Sequence, residues 1–311
     1  MVDEHRDANP PVTATRAEDA GADGVRADGA GAEDARADGA GADGARADDP
    51  LDDFVRAPFT HDGVTHDVFR SGEGPAVIVM AEIPGVTPKV AAFARRVRAL
   101  GCTVWMPVLF GTPGRSPSGG AIARSMATGC VSREFAAFAT GRTEPVSVWL
   151  RALARHAHAE CGGPGVGAVG MCFTGGFALG MAVEPSVLAP VLSQPSLPLP
   201  VSKRARASIH LSPEDLRAVQ ARTADGMCVM GLRFTGDRAV PDDRFATLRR
   251  ELGDAFIAVE IDSSPGNEWD IRKGAHSVLT EDLVDRPGHP TRAALEGVLD
   301  FLRERLLPAG T

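Results

Sequence analysis

Residues 169–179 read VGMCFTGGFAL: an apolar run closes on Gly-Met-Cys and the chain reopens on a glycine pair. GVGAVGM (165–171) has strand character, and a helix is expected to open near Thr174. A strand that ends in Gly-x-Cys and turns at once into a helix is the setting of a nucleophile elbow. Gly170, Gly175 and Gly176 are small enough to let strand and helix approach, so the residue at the apex, Cys172, projects beyond the strand's carboxyl end. Free N–H groups at the start of the helix then favour a thiolate and an oxyanion. Thr174 stands where glycine is commoner. On these residues alone Cys172 is equally a small buried apolar side chain, as free cysteines often are. Gly165, Gly167 and Gly170 also spell G-x-G-x-x-G, but they lie inside the strand and a helix precedes them. Nucleotide binding is therefore not expected.

Outward from the elbow, short apolar runs alternate with helical patterns. Strands are expected at 76–80 (AVIVM), 102–109, 188–194, 227–234 and 255–261. Helices are expected at 88–100, 146–160 and near 213–223, 241–252 and 290–306. In the first, Val90, Phe93, Ala94, Val97 and Leu100 share one face and Gly101 stops it. Residues 112–144 read as loop plus a short helix. Strands alternating with helices predict βαβ units, and strands that are apolar without alternation predict burial on both faces. The fold class expected is α/β: a doubly wound, mostly parallel sheet with helices on both sides.

The first 53 residues differ. Units beginning at Arg16, Arg26, Arg36 and Arg46 repeat every ten residues and contain almost only Ala, Gly, Asp, Glu and Arg. Such units bury too little to offset their ordering entropy, so residues 1–53 are expected to be a disordered acidic tail, a solubilising or docking arm. Residues 54–311 form the single expected domain. Residues 1–50 carry 13 acids against five arginines and account for the whole net charge of −8; the remaining residues carry 28 charges of each sign. The folded part has no basic excess, so no nucleic-acid partner is expected.

No run of about 18 apolar residues marks a membrane span, and the N-terminus lacks a basic start and apolar core. The expectation is a cytoplasmic protein, a monomer or homodimer, with no membrane partner. Five scattered cysteines without a CxxC pair suit free thiols. No metal site is expected; His156 and His158, two apart on a helix, do not share a face.

A thiol nucleophile needs a base, and the base an orienting acid. In the order nucleophile, acid, histidine, Asp237 follows the strand at 227–234 in RFTGDRAVP, and His276 lies in KGAHSV after the strand at 255–261. Asp242 or Asp243 could replace Asp237. His210 precedes Asp237 and sits ahead of a helix capped by Ser212, and His289 stands at the entry to the last helix.

Four places in order, AEIPGV (81–86), GMCFTGG (170–176), FTGDRAVP (234–241) and GAHSV (274–278), resemble the dienelactone hydrolases of the α/β-hydrolase fold over roughly residues 60–306. The resemblance implies Cys172 as nucleophile, His276 as base and acid, and Asp237 as its orienter. It implies that Glu82 meets the cysteine in the resting enzyme and helps to activate it. It implies an oxyanion hole from the N–H groups of Phe173 and Ile83, and no cofactor. Two arginines that hold a substrate carboxylate in such enzymes are replaced: Thr112, with Arg115 nearby, and Thr280 occupy their places. Threonine cannot reproduce a bidentate Arg–carboxylate contact. The expected activity is therefore cysteine-dependent hydrolysis of a small carboxylic ester or lactone other than dienelactone, through a thioester. Substrate contacts are sought at Arg115, Thr112 and Thr280. The alternative is a non-catalytic relative that binds a small ligand or senses redox state through Cys172. Loops at 112–145 and 193–212 are expected to shape the entrance.

Overall fold

The computed structural model describes residues 47–131, 143 and 145–307. The expectations of disorder and of an arm-like role for the acidic tail fall mostly on residues outside those described. Residues 47–53 pack against the residues that follow. Leu51 is buried, Asp49 N–H donates to Gly114 O at 2.8 Å, and Arg95 pairs with Asp49 and Asp53 at 2.5 and 2.6 Å. The described part of the compact unit therefore begins at residue 47. The last decamer unit differs from the others in leading directly into Pro50 and Leu51, and Leu51 gives it an apolar side chain to bury.

The unit is built on one sheet of eight strands: β1 (Val55–His61), β2 (Val64–Ser71), β3 (Ala76–Met80), β4 (Thr103–Pro107), β5 (Val166–Met171), β6 (Val187–Ser193), β7 (Val229–Phe234) and β8 (Phe256–Ile261). Their spatial order is β1-β2-β4-β3-β5-β6-β7-β8. Only the pairs β1–β2 and β2–β4 are antiparallel. The helices are α1 (Pro88–Ala99), α2 (Gly119–Val131), α3 (Pro145–Cys161), α4 (Gly175–Met181), α5 (Lys203–Ala207), α6 (Pro213–Ala224), α7 (Asp242–Leu252) and α8 (Pro290–Leu306). The β1–β2 hairpin was not expected. Its turn is Asp62-Gly63, both with positive φ (48° and 77°), the backbone that a two-residue Asp-Gly turn favours.

β3 shows why the strands read as unbroken apolar runs. All five of its residues are buried. Successive side chains point to opposite faces. Ile78 and Met80 join one core with Trp149, Leu150 and Phe177; Val77 and Val79 join the other with Phe93, Val97 and Val298. Thus α3, α4, α6 and α7 cover one face and α1 and α8 the other. Fully burying each large apolar side chain contributes about 1.5–3 kcal/mol.

This layering fixes where a site can form. Chain order reverses between β3 and β5: the chain leaves β3 toward β4, then crosses back to β5. Ligands of open α/β sheets bind beyond the carboxyl ends of the strands at such a switch point. Glu82 follows β3 and Cys172 follows β5. Met80 is the register partner of Gly170, so Glu82 and Cys172 each lie two residues past a paired position.

Candidate active site

Cys172 is a non-glycine residue at φ 52°, the sparsely populated left-handed region, at the apex between β5 and a short turn, Cys172–Thr174, that runs into α4. The glycines explain how the apex closes. A Cβ on Gly170 would lie 2.2 Å from Thr174 O, and one on Gly175 would lie 2.6 Å from Pro195 Cα. Thr174, where the elbow pattern favours glycine, is fully buried and ties the turn together. Its Oγ1 accepts from Met171 N–H at 2.9 Å and lies 2.9 Å from Met80 O, to which it donates. The hydroxyl thus fastens the elbow to the end of β3. Phe173 and Ile83, the expected oxyanion donors, each stand three residues past the Met80–Gly170 pair, at the ends of neighbouring strands.

His276 and Asp237 meet. Nδ1 of His276 lies 2.6 Å from Asp237 Oδ2, while Asp237 Oδ1 accepts Ala239 N–H at 2.9 Å. With Nδ1 committed to Asp237, Nε2 is the nitrogen left for the sulfur. Burial disfavours the charged ring, but the charge of Cys172 and hydrogen bonds to Asp237 and Cys172 outweigh it, so the imidazole's pKa is held well above 6.5. Cys172, over a hundred residues away in the chain, thus acts on this imidazole. The Cys172 Sγ also sits 3.5 Å from Ser196 Oγ, and Ser196 N–H donates to Cys172 O at 3.0 Å.

The turn that carries His276 is held from two sides. The N–H groups of His276 and Ser277 both donate to Asp282 Oδ2, at 2.8 and 3.0 Å, and Arg272 grips the same carboxylate. On the other side is Glu82. Ser277 Oγ donates to Glu82 Oε2 at 2.6 Å, Gln194 Nε2 donates to the same oxygen at 3.2 Å, and Thr280 Oγ1 donates to Oε1. Burial pushes the Glu82 carboxyl above the ordinary carboxylate range, against the pull of the hydrogen bonds from Ser277 and Thr280.

These contacts correct three expectations. Glu82 does not meet Cys172; its hydrogen bonds go to Ser277, Thr280 and Gln194. Thr280 is buried, and its hydroxyl is given to Glu82. Arg115 and Thr112 are not brought to Cys172. They line a cavity of about 460 Å³ with Asp48, Pro84, Arg124 and Ser125, and Arg115 Nη1 pairs there with Asp48 at 2.5 Å. The physical reason is partner choice: a hydroxyl short enough to stay inside the fold satisfies the buried carboxylate, and Asp48 supplies the anion for Arg115.

Sequence reading missed Gln194, Ser196, Ser277, Asp282 and Arg244. Arg244 is buried on α7 and donates to the carbonyls of Pro195, Pro198, Ala205 and Ser208, which shapes the loop after β6 that carries Ser196. His210 sits on the same loop, packed over Gly176 and Phe177. It does not join Asp237, whose imidazole partner is His276. Burial, with the charge of Arg244, depresses its pKa to about 4. The unfolded chain therefore takes up this proton first as pH falls, and stability drops between about 6.5 and about 4. That gap corresponds to roughly 3 kcal/mol. Urea unfolding at pH 7, 5.5 and 4 should show it, and His210→Gln should flatten the loss over this window; an equally steep loss in the variant contradicts the assignment.

Among the described residues no group of three His, Cys, Asp or Glu side chains is placed to hold a metal, and no helix is long and apolar enough to cross a membrane.

A mostly parallel eight-stranded sheet in this order, with a strained apex after β5 and an acid and histidine after β7 and β8, is an α/β-hydrolase-type fold. Solved structures share it. A Klebsiella pneumoniae subsp. pneumoniae MGH 78578 protein assigned as a dienelactone hydrolase superposes with TM-score 0.53 at 18% identity, over 81% of this chain and 99% of its own. The dienelactone hydrolase of Anabaena variabilis ATCC 29413 gives 0.52 at 14% identity, over 81% and 98%. The dienelactone hydrolase-like promiscuous phosphotriesterase P91, from metagenomic libraries, gives 0.50 at 16% identity, over 81% and 98%. No curated protein sequence matches the chain. The dienelactone hydrolase family model matches residues 65–269, so the chain belongs to the dienelactone hydrolase family and is a hydrolase of that type.

Proposed function

We propose that the protein is a cysteine-dependent hydrolase of small carboxylic esters or lactones, with Cys172 as nucleophile, His276 as general base and acid, and Asp237 as its orienter. The observation that carries the reading is the linked set at the strand ends: Cys172 at φ 52° beside His276, and His276 Nδ1 at 2.6 Å from Asp237. The raised imidazole pKa supports a protonated ring at this position, and a thiolate facing such a ring is the nucleophilic state of sulfur that the mechanism uses.

In the proposed cycle the thiolate attacks the carbonyl carbon and forms a C–S bond. The N–H groups of Phe173 and Ile83 hold the resulting oxyanion. Collapse expels the alkoxide, which takes the proton from His276 Nε2, and leaves a thioester. His276, now neutral, accepts a proton from water as that water attacks the thioester carbon. The thiolate leaves, and the imidazolium is restored. The chemistry draws on no cofactor.

The substrate is expected to be neutral around the scissile bond, because Thr280 faces Glu82 and Arg115 faces Asp48. A screen of short p-nitrophenyl esters and lactones, each with and without a carboxylate, tests this. We expect higher kcat/KM on the neutral member of each pair. A consistent preference for the carboxylate-bearing member contradicts the substrate assignment, and no turnover of any member contradicts the activity.

A further inference from the structure

Glu82 stands two residues past the end of β3, buried, and its hydrogen bonds run to the elements that frame His276 rather than to the sulfur. Two come from the histidine's own turn: Ser277 is its immediate neighbour and Thr280 lies four residues on. The third comes from Gln194 at the end of β6. Gln194 stands at φ 36°, its Oε1 accepts from Ser193 Oγ, and Val278 N–H donates to the same oxygen at 3.4 Å. One carboxyl group and one amide thus tie together the ends of two parallel strands and a turn that starts fifteen residues after the last strand. To reach Cys172, the buried Glu82 would have to give up three hydrogen bonds. Such groups are costly to leave unpaired.

We propose that Glu82 is a positioning residue for His276: through Ser277, Thr280 and Gln194 it clamps the turn that carries the imidazole to the ends of β3 and β6, so that the thiol–imidazole pair is set before substrate arrives. This differs from the direct meeting of Glu82 with the cysteine that the sequence resemblance implies. The inference rests on the proposed pairing of Cys172 with His276. The charged and titratable groups that face the pair and the clamp are Asp237 on the imidazole, and His276 and Glu281 near Glu82. None of them is altered in the test below.

The test needs no substrate. The rate constant for iodoacetamide alkylation of Cys172 is measured from pH 5 to 10 by the mass of the peptide that carries it. The thiolate displaces iodide, so the rate follows the thiolate population and its orientation. Peptide mass keeps Cys172 apart from the other cysteines, of which buried Cys102 has its thiol pushed up to about 11. The variants are Thr280→Val, which keeps the shape and removes the hydroxyl, Ser277→Ala, and Thr280→Ser, which restores a hydroxyl. A thermal melt of each shows that it folds. We expect Thr280→Val and Ser277→Ala to slow alkylation near neutral pH by roughly tenfold or more, since small misplacements of a reacting pair carry effects of that size. Their profiles should move toward that of an ordinary thiol, with Thr280→Ser close to wild type. In ester hydrolysis kcat should fall and KM stay nearly constant. Profiles of Thr280→Val and Ser277→Ala that superpose on wild type overturn the proposal, as does a Thr280→Ser variant as slow as Thr280→Val. Alkylation reads the pair directly. If wild type hydrolyses no ester while Thr280→Val still slows alkylation, the hydrolase reading fails and the positioning role stands.

Discussion

Cys172→Ala should lower kcat/KM toward a short neutral ester by about 10⁴-fold or more, since removal of the nucleophile of a catalytic triad has effects of this order. The loss should fall on kcat. Alanine at the apex keeps the glycine contacts and the Thr174 hydrogen bonds that hold the elbow, none of which uses the sulfur. The fold should therefore survive, and a thermal melt within a few degrees of wild type is the control. The thiol contributes little to packing, because Cys172 is only partly buried at the margin of one core. Undiminished hydrolysis by a folded Cys172→Ala protein would assign the activity to another group.

The second large effect is expected at Asp237. Asp237→Asn preserves size but places an amide where the carboxylate accepts Nδ1–H. The ring can then adopt the tautomer that turns its N–H toward the sulfur, and the charge that supports the imidazolium is gone. The equivalent change in a Ser-His-Asp triad costs about 10⁴-fold in kcat, and a loss approaching that size is expected here. The pH profile should change too. Asp237 helps to raise the His276 pKa. Its removal lowers that pKa, so the thiolate–imidazolium pair should be lost at lower pH and the alkaline limb of the rate profile should move to lower pH. A rate measured across pH 5–10 for both proteins checks this; a limb that stays in place or moves up contradicts the orienting role.

The parts of this molecule legible in its sequence are those fixed by local pattern. The core strands and most helices fall within a few residues of where periodicity places them, because each is apolar for a single reason, burial on both faces or on one stripe. The elbow was legible because its geometry demands small residues at fixed offsets from Cys172. Asp237 and His276 were legible by order, since each follows a strand whose carboxyl end faces the same crevice. The β1–β2 hairpin was not, although Asp62-Gly63 signals it. β1 is mostly exposed at the sheet edge and lacks the apolar run that marked the other strands. The partners of Glu82 could not be read at all. Ser277 and Thr280 lie 195 and 198 residues away and Gln194 lies 112 away, and nothing local distinguishes a hydroxyl that faces a buried carboxylate from one that faces substrate. Thr174 looked like a departure from the elbow pattern. Its hydroxyl instead joins strand end, apex and neighbouring strand.

The central claim is a covalent one, that the sulfur of Cys172 carries the acyl group between the two halves of the reaction. Rapid acid quench of the enzyme with a slowly turned-over p-nitrophenyl ester, followed by peptide mass analysis, tests it most directly. The account predicts an acyl adduct on the peptide containing Cys172, discharged by hydroxylamine and absent from Cys172→Ala. Turnover by wild type with the adduct on another residue, or with no adduct under conditions where p-nitrophenol is released in a burst, would contradict it.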